Sequence, residues 1–467
     1  MDSARVQANR YKLFTVGAIG TFMATLDGSI LNVALPSIAR DLDAPVSLVA
    51  WVVLAYSLTL ISLLVAFGAW TQRRGYGFSY RFGYTFFIVG SLLCALSGSI
   101  SMLIVSRVVQ AVGTAMFASI GPGMVTTVFP REERGKGLGI MVMMVSAGFM
   151  VGPPVGGYLL GIWSWHAIFI VNLPIGLFGL VMAHRYFRLL DKPQDPPPMR
   201  VAAAAALALA LVSGVFGLSL IDDYPVGHPL MWGLGLFSAF SFVVFIALEK
   251  NPRHTVVGLG IFRNRRFTTA LAAQLCHFAG LSGVLVLVPF FLERVKLFEP
   301  QQVGMYLVIM PIVMFIAAPT SGKLSDIIGY RLLTSAGMVI MGTGLYLLSN
   351  LAPDTQNWYI AVCLAVVGGG AGVFSTPNSS ALMGSVREGQ RSVASGILAT
   401  NRNIGMSVGV AVATALFAYL QQQNAALIEA GLIFVESYRP VIYVGMGFAA
   451  AGFILCLIRD NRIETAA

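Results

Sequence analysis

Four ionisable side chains stand inside long apolar runs: Asp27, Arg107, His277 and Arg402. Of the 20 acidic residues, Asp27 is the one deep in such a run, while Asp222, Asp223 and Glu293 stand at run ends. A carboxylate inside a membrane is costly and marks a proton or ion path, unless a neighbouring helix or backbone group holds it as a purely structural element. Counting inward at 1.5 Å per helical residue puts Arg107 and Asp27 about 9 and 13 Å from the same surface, so the two can meet. A guanidinium that approaches and leaves a carboxylate changes how firmly the carboxylate holds a proton, which makes the pair a coupling switch or, alternatively, a fixed ion pair. His277 and Arg402 each lie roughly 14 Å in from the opposite surface. The imidazole suits a second protonation or substrate contact, or else packing with a hydrogen bond. Arg402 suits an anionic substrate group, or the carbonyls beside Asn401 and Asn403.

The elements that must position these groups are membrane spans. The 467 residues are 57% hydrophobic and 11% charged, whereas soluble domains carry about a quarter charged residues. Apolar runs of about 20 residues recur along the chain, each long enough to cross a bilayer as a helix. The expected fold class is therefore an all-α polytopic membrane protein. Spans are expected at 12–36, 47–70, 82–98, 101–124, 137–160, 165–187, 201–221, 228–248, 267–291, 302–321, 332–351, 358–384, 393–420 and 439–458. Fourteen spans put both termini on one side. With that side cytoplasmic, 24 of the 30 Lys and Arg fall in inside segments and 4 in outside loops, as the positive-inside rule requires. This distribution accounts for the net charge of +10 without a nucleic-acid partner. The first run is too long for a cleavable leader and reads as a retained helix. Cys94, Cys276, Cys363 and Cys456 all sit in apolar runs without metal-ligand spacing, so free buried thiols are expected.

Two short loops share a pattern 254 residues apart: Gly68 to Gly75, with Gln72 and Arg73, and Gly322 to Gly329, with Asp326 and then Arg331. Both lie between the second and third helices of a six-helix unit, as a duplicated transporter requires. The expected organisation is a six-helix half over 1–190, an inserted helix pair (spans 7 and 8) over 191–255, and a second six-helix half over 256–467. The polar stretch Arg188 to Arg200, with Pro196, Pro197 and Pro198, reads as the link into the inserted pair, whose near-lack of polar residues suits packing against lipid.

Leu26-Asp27 through Asn32 to Pro36 in span 1, Arg107-Val-Val-Gln110 in span 4, Gly148 to Gly157 in span 5 and Gly322 to Arg331 are similar to four signatures of one family. The chain resembles the major facilitator superfamily and, within it, the fourteen-span drug:proton antiporter family. Resemblance implies a major facilitator fold in which Asp27 and Arg107 serve proton coupling. It places Asn32, Gln110, His277 and Arg402 as candidates for the substrate cavity. Gly148, Gly152, Pro153, Pro154, Gly156 and Gly157 would form the antiporter motif, whose small residues permit close helix approach and whose prolines favour a kink. In the first loop copy the family normally has Asp where this chain has Gln72. The resemblance implies that this Asp latches the cytoplasmic side through an Arg and a helix N-terminus. Either the latch is weaker here or the copy with Asp326 carries more of it.

These readings predict a proton-coupled antiporter of the bacterial cytoplasmic (inner) membrane, with no cofactor beyond the proton gradient, which exports lipophilic compounds as a monomer in the lipid bilayer. One deep acid and two deep arginines suit neutral, monocationic or anionic amphiphiles better than dications. Export of an endogenous lipid, fatty acid or metabolite is the alternative cargo class, and a non-transporting membrane sensor or receptor the alternative of another kind. No HExxH, GxSxG or phosphate-binding GxxxxGK[ST] pattern occurs, so an enzyme or a nucleotide-driven pump is not expected.

Overall fold

The computed structural model describes residues 8–187, 199–221, 224, 227–250, 255–424 and 430–458. These form helices and short connections, with no strand among them. Fourteen helices are long and apolar enough to span a bilayer: α1 (Arg10–Asp41), α2 (Leu48–Arg74), α3 (Tyr76–Ala95), α4 (Ile100–Val128), α5 (Arg131–Ile162), α6 (Ala167–Tyr186), α7 (Val201–Ser219), α8 (Pro229–Glu249), α9 (Arg265–Val295), α10 (Gln301–Ile328), α11 (Tyr330–Ser349), α12 (Asn357–Gly384), α13 (Glu388–Gln423) and α14 (Leu432–Leu457). Helices satisfy every backbone group internally, which lipid demands. The prolines of the expected link into the inserted pair, and Asp222 and Asp223, lie outside the described residues.

Several helices outrun the spans expected from hydropathy. The two repeated motifs are helical rather than looped: α2 continues to Arg74 and α10 to Ile328. Each motif ends in a single turning residue, Gly75 at φ 86° and Gly329 at φ 84°. That left-handed conformation disfavours any side chain, so glycine closes both copies of the pattern. The α5 helix runs without interruption through Pro153 and Pro154.

Packing repeats with a shift of eight helices. In the first half α1 lies against α5 and α6, α3 against α4 and α6, and α2 against α4; in the second, α9 lies against α13 and α14, α11 against α12 and α14, and α10 against α12. Apolar side chains gain little by leaving lipid, so contact depends on how closely backbones approach. Glycines supply that closeness at matching places. A Cβ on Gly113 of α4 would strike the Phe87 backbone of α3, and one on Gly370 of α12 would strike the Met341 backbone of α11. The architecture is six helices, an inserted pair and six more. Within the pair, α7 packs on α2 and α13, while α8 rests mainly on α7 and leaves Trp232, Leu236 and Phe240 exposed.

The halves meet along α2 with α13 and α5 with α10. The closest approaches cluster towards one end of the bundle, the basic face that carries Arg73, Arg74, Arg131, Arg134 and Lys323. There Gly68 abuts Ser392, Gly396 abuts Leu64, Gly135 abuts Gly322 and Gly139 abuts Pro319. The inserted pair joins this seam, since Val65 and Ala69 of α2, Ala203 of α7, Phe245 of α8 and Val393 of α13 share one apolar cluster.

Candidate functional site

Asp27 and Arg107 are each 1% exposed and form an ion pair, with Arg107 Nη1 2.6 Å from Asp27 Oδ2. The other carboxylate oxygen accepts from Gln110 Nε2 at 2.8 Å and from Asn172 Nδ2 at 2.9 Å. Gln110 is fully used, because its Oε1 accepts from Arg107 Nη1 and its Nε2 also donates to Ser91 Oγ at 2.9 Å. Arg107 Nε donates to the Val52 carbonyl at 3.4 Å, and the guanidinium lies 4.0 Å from the Tyr56 ring centroid. Tyr56 is held in turn by donating to Thr114 Oγ1 at 2.9 Å. Thus α1, α4 and α6 meet at one carboxylate, and α2 and α3 join the network through Arg107 and Gln110. Three donors converge on it, and these are the partners of an anion, since a carboxyl proton would face guanidinium and amide hydrogens.

The close approach of α1 and α5 supports this network. Gly148 and Gly152 lie against Thr25 and Ser29, and Ser29 Oγ donates to the Gly148 carbonyl at 2.9 Å. Gly156 meets Ile30, whereas Gly157 faces open space.

Two residues expected at a substrate cavity are instead enclosed. Gln110 is 0% exposed inside the ion-pair network, and His277 is 1% exposed. The His277 ring stacks on Phe374 at 4.5 Å, and neither ring nitrogen has a partner among the described residues. Helix rotation, which hydropathy does not report, turns both side chains into packed interfaces. Asn32 is exposed on α1, away from the network. Arg402 is half-buried on α13; among the described residues no hydrogen bond or ion pair reaches it. The amides beside it are engaged elsewhere: Asn401 donates to the Leu271 carbonyl and Gln274 Oε1, and Asn403 donates to the Ala399 carbonyl.

At the basic face the two motif copies bond differently. Asp326 accepts from the backbone N–H of Gly135 at 2.8 Å and of Lys136 at 3.1 Å, so α10 caps the first turn of α5. A carboxylate there meets the positive end of the helix dipole. Gln72 reaches the matching place on α13 with the opposite polarity, its Nε2 donating to the Gly389 carbonyl. Arg73 donates to its own helix at Ala69 and to the Thr255 carbonyl at 3.2 Å. Arg331 opens α11.

Three partners escaped sequence reasoning. Asn172 and Ser91 are single polar residues inside apolar runs, a weak signal each. Glu249 was expected beyond span 8 but closes α8, 3% exposed. Its carboxylate accepts from the N–H groups of Val256, Val257 and Gly258 at 2.7–3.1 Å.

Comparison with known proteins agrees with this arrangement. The Major Facilitator Superfamily profile matches residues 17–409 and again 270–466. The riboflavin transporter RibZ of Clostridioides difficile is 33% identical over 96% of both chains. The multidrug resistance protein Stp of Mycobacterium tuberculosis is 28% identical over 86% of this chain and 75% of its own. Among solved structures, the human organic anion transporter MFSD10 (TETRAN) superposes with a TM-score of 0.66 at 15% identity, over 96% of this chain and 99% of its own. A duplicated six-helix architecture, a carboxylate and guanidinium paired between α1 and α4, and a profile match across nearly the whole length together place this chain in the Major Facilitator Superfamily.

Proposed function

We propose that this transporter is a proton-coupled antiporter that exports lipophilic or amphiphilic compounds by alternating access, with its basic face in the cytoplasm. The observation that carries the reading is the Asp27 carboxylate, buried against Arg107 and held by Gln110 and Asn172. A proton arriving at Asp27 removes the counter-charge of Arg107 and sets a donor against donors. An uncompensated buried charge costs about 3–5 kcal/mol, enough to drive the network apart and to shift the five helices that meet there. Proton binding and helix movement are then one event. The seam closed at the basic face, with α5 capped by Asp326, supports an outward-facing state in which the inserted pair braces the closed side.

The test is uptake of a lipophilic fluorescent cation and of a labelled lipid into inverted vesicles under an imposed pH gradient, for wild type and Asp27→Asn. Gradient-driven flux that disappears in Asp27→Asn supports the reading; flux that survives removes Asp27 from the coupling step. A second reading, export of a metabolite, is supported by the relative named as a riboflavin transporter and by the charge inventory. The buried carboxylates among the described residues, Asp27 and Glu249, are both engaged by donors, which leaves no anion to meet a cationic drug.

A further inference from the structure

Along α13, burial changes abruptly at one residue. Every position from 392 to 401 is buried, whereas from Arg402 onward the buried positions are mainly Gly405, Gly409, Ala411 and Ala413. Gly396 meets the α2 backbone at Leu64 and Val65, which seals the seam. Arg402 lies six residues, about 9 Å, beyond that seal. Its side of the helix is turned away from the inserted pair, which packs on Val393 and Ile397, and borders the α9 contact, where Gly405 and Gly409 follow it at i+3 and i+7. It lies on the face shared with Ser395 and Ala399, both shut. Arg402 is therefore the first half-buried residue after the shut stretch that seals the seam.

Its charge is unmatched. Asp27 and Arg107 cancel one another, Glu249 is bound by backbone amides, and the groups beside Arg402 are the neutral amides of Asn401 and Asn403. A guanidinium held at membrane depth without a partner is expensive and marks a functional site. We infer that Arg402 binds the anionic head of the cargo, and that the cargo is a carboxylate-bearing amphiphile. A single guanidinium offers one positive charge and a planar fork that fits one carboxylate with two parallel hydrogen bonds. A doubly charged phosphate ester would leave one negative charge unmatched in the same place. The apolar body of the cargo lies along α13 beyond Arg402, where Met406 and Val410 are half-buried.

This inference rests on the transport reading but is tested apart from coupling, by equilibrium binding without any gradient. The probes are dansyl-labelled undecanoic acid and its methyl ester, titrated into purified full-length protein in nanodiscs, with empty nanodiscs as the control. Wild type is expected to bind the ionised acid about tenfold or more tightly than the ester, the range for hydrogen bonds to a charged group. Arg402→Gln is expected to bind the two equally and Arg402→Lys to keep most of the preference. The readout uses no gradient and no proton movement, so failure of coupling and failure of the anion site read differently. Equal binding of acid and ester by wild type, no binding of the acid, or a preference that persists in Arg402→Gln overturns the assignment. The wild-type comparison decides it even where a variant does not fold.

Discussion

The cores of the two halves share a scaffold and differ in chemistry. Gly83 and Gly90 of α3 recur 254 residues on as Gly337 and Gly344, and Gly113, Gly148 and Gly152 recur 257 residues on as Gly370, Gly405 and Gly409. The side chains hung on this common frame diverge. At the positions of Arg107, Gln110 and Phe117 the second half has Leu364, Val367 and Phe374. Asp27 lies two residues beyond Thr25, which touches Gly148, and His277 lies two beyond Leu275, which touches Gly405. Where the first half buries a carboxylate bonded to three side chains, the second stacks an unbonded imidazole on Phe374. Backbone approach is preserved where helices pack against one another in both halves, whereas a buried ion pair is found in the first half alone among the described residues.

Removing one charge tests this contrast most severely. Arg107→Leu, which copies the second half, is expected to destabilise the protein by about 3–5 kcal/mol, because Asp27 is left buried and unpaired. The double variant Asp27→Asn with Arg107→Gln is expected to recover most of that stability but no coupled flux, as read by thermal unfolding in detergent and by vesicle transport. A smaller and symmetric loss is expected on the shared frame. Gly113→Ala and Gly370→Ala should each cost about 1–3 kcal/mol through the same overpacking, and strongly unequal losses in unfolding would show that the halves do not share a backbone frame.

The two copies of the repeated motif should respond unequally. Asp326→Asn removes a charge that caps α5, and Gln72→Ala removes one neutral hydrogen bond. The first is expected to shift the equilibrium towards an open basic face by about 1–2 kcal/mol and the second by about half as much. Pulsed EPR distances between labels at Lys136 and Lys323 measure this opening, and an equal or larger response to Gln72→Ala would reverse the assignment of the stronger latch. His277→Phe should have the smallest effect. It keeps the stack on Phe374 and deletes two unbonded nitrogens, so a gain of up to about 1 kcal/mol in stability and unchanged gradient dependence are expected. A changed gradient dependence would bring the second half into proton coupling.

Periodicity and composition alone determined the fourteen spans, the duplication and the shared depth of Asp27 and Arg107, because each follows from local sums: apolar length against bilayer thickness, and rise per residue against depth. The glycine that closes each copy of the repeated motif is equally local, since left-handed backbone disfavours side chains. Tertiary structure alone decided how each helix is rotated about its axis and which helix stands beside it. That rotation gave Asp27 the amide of Asn172 from 145 residues away and enclosed Gln110 and His277. It also turned Glu249 into a buried anchor and left Arg402 half-buried beyond the seam without a counter-ion among the described residues. Such pairings depend on a rotation of less than one helical turn and on contacts between distant segments, and neither leaves a periodic trace in the chain.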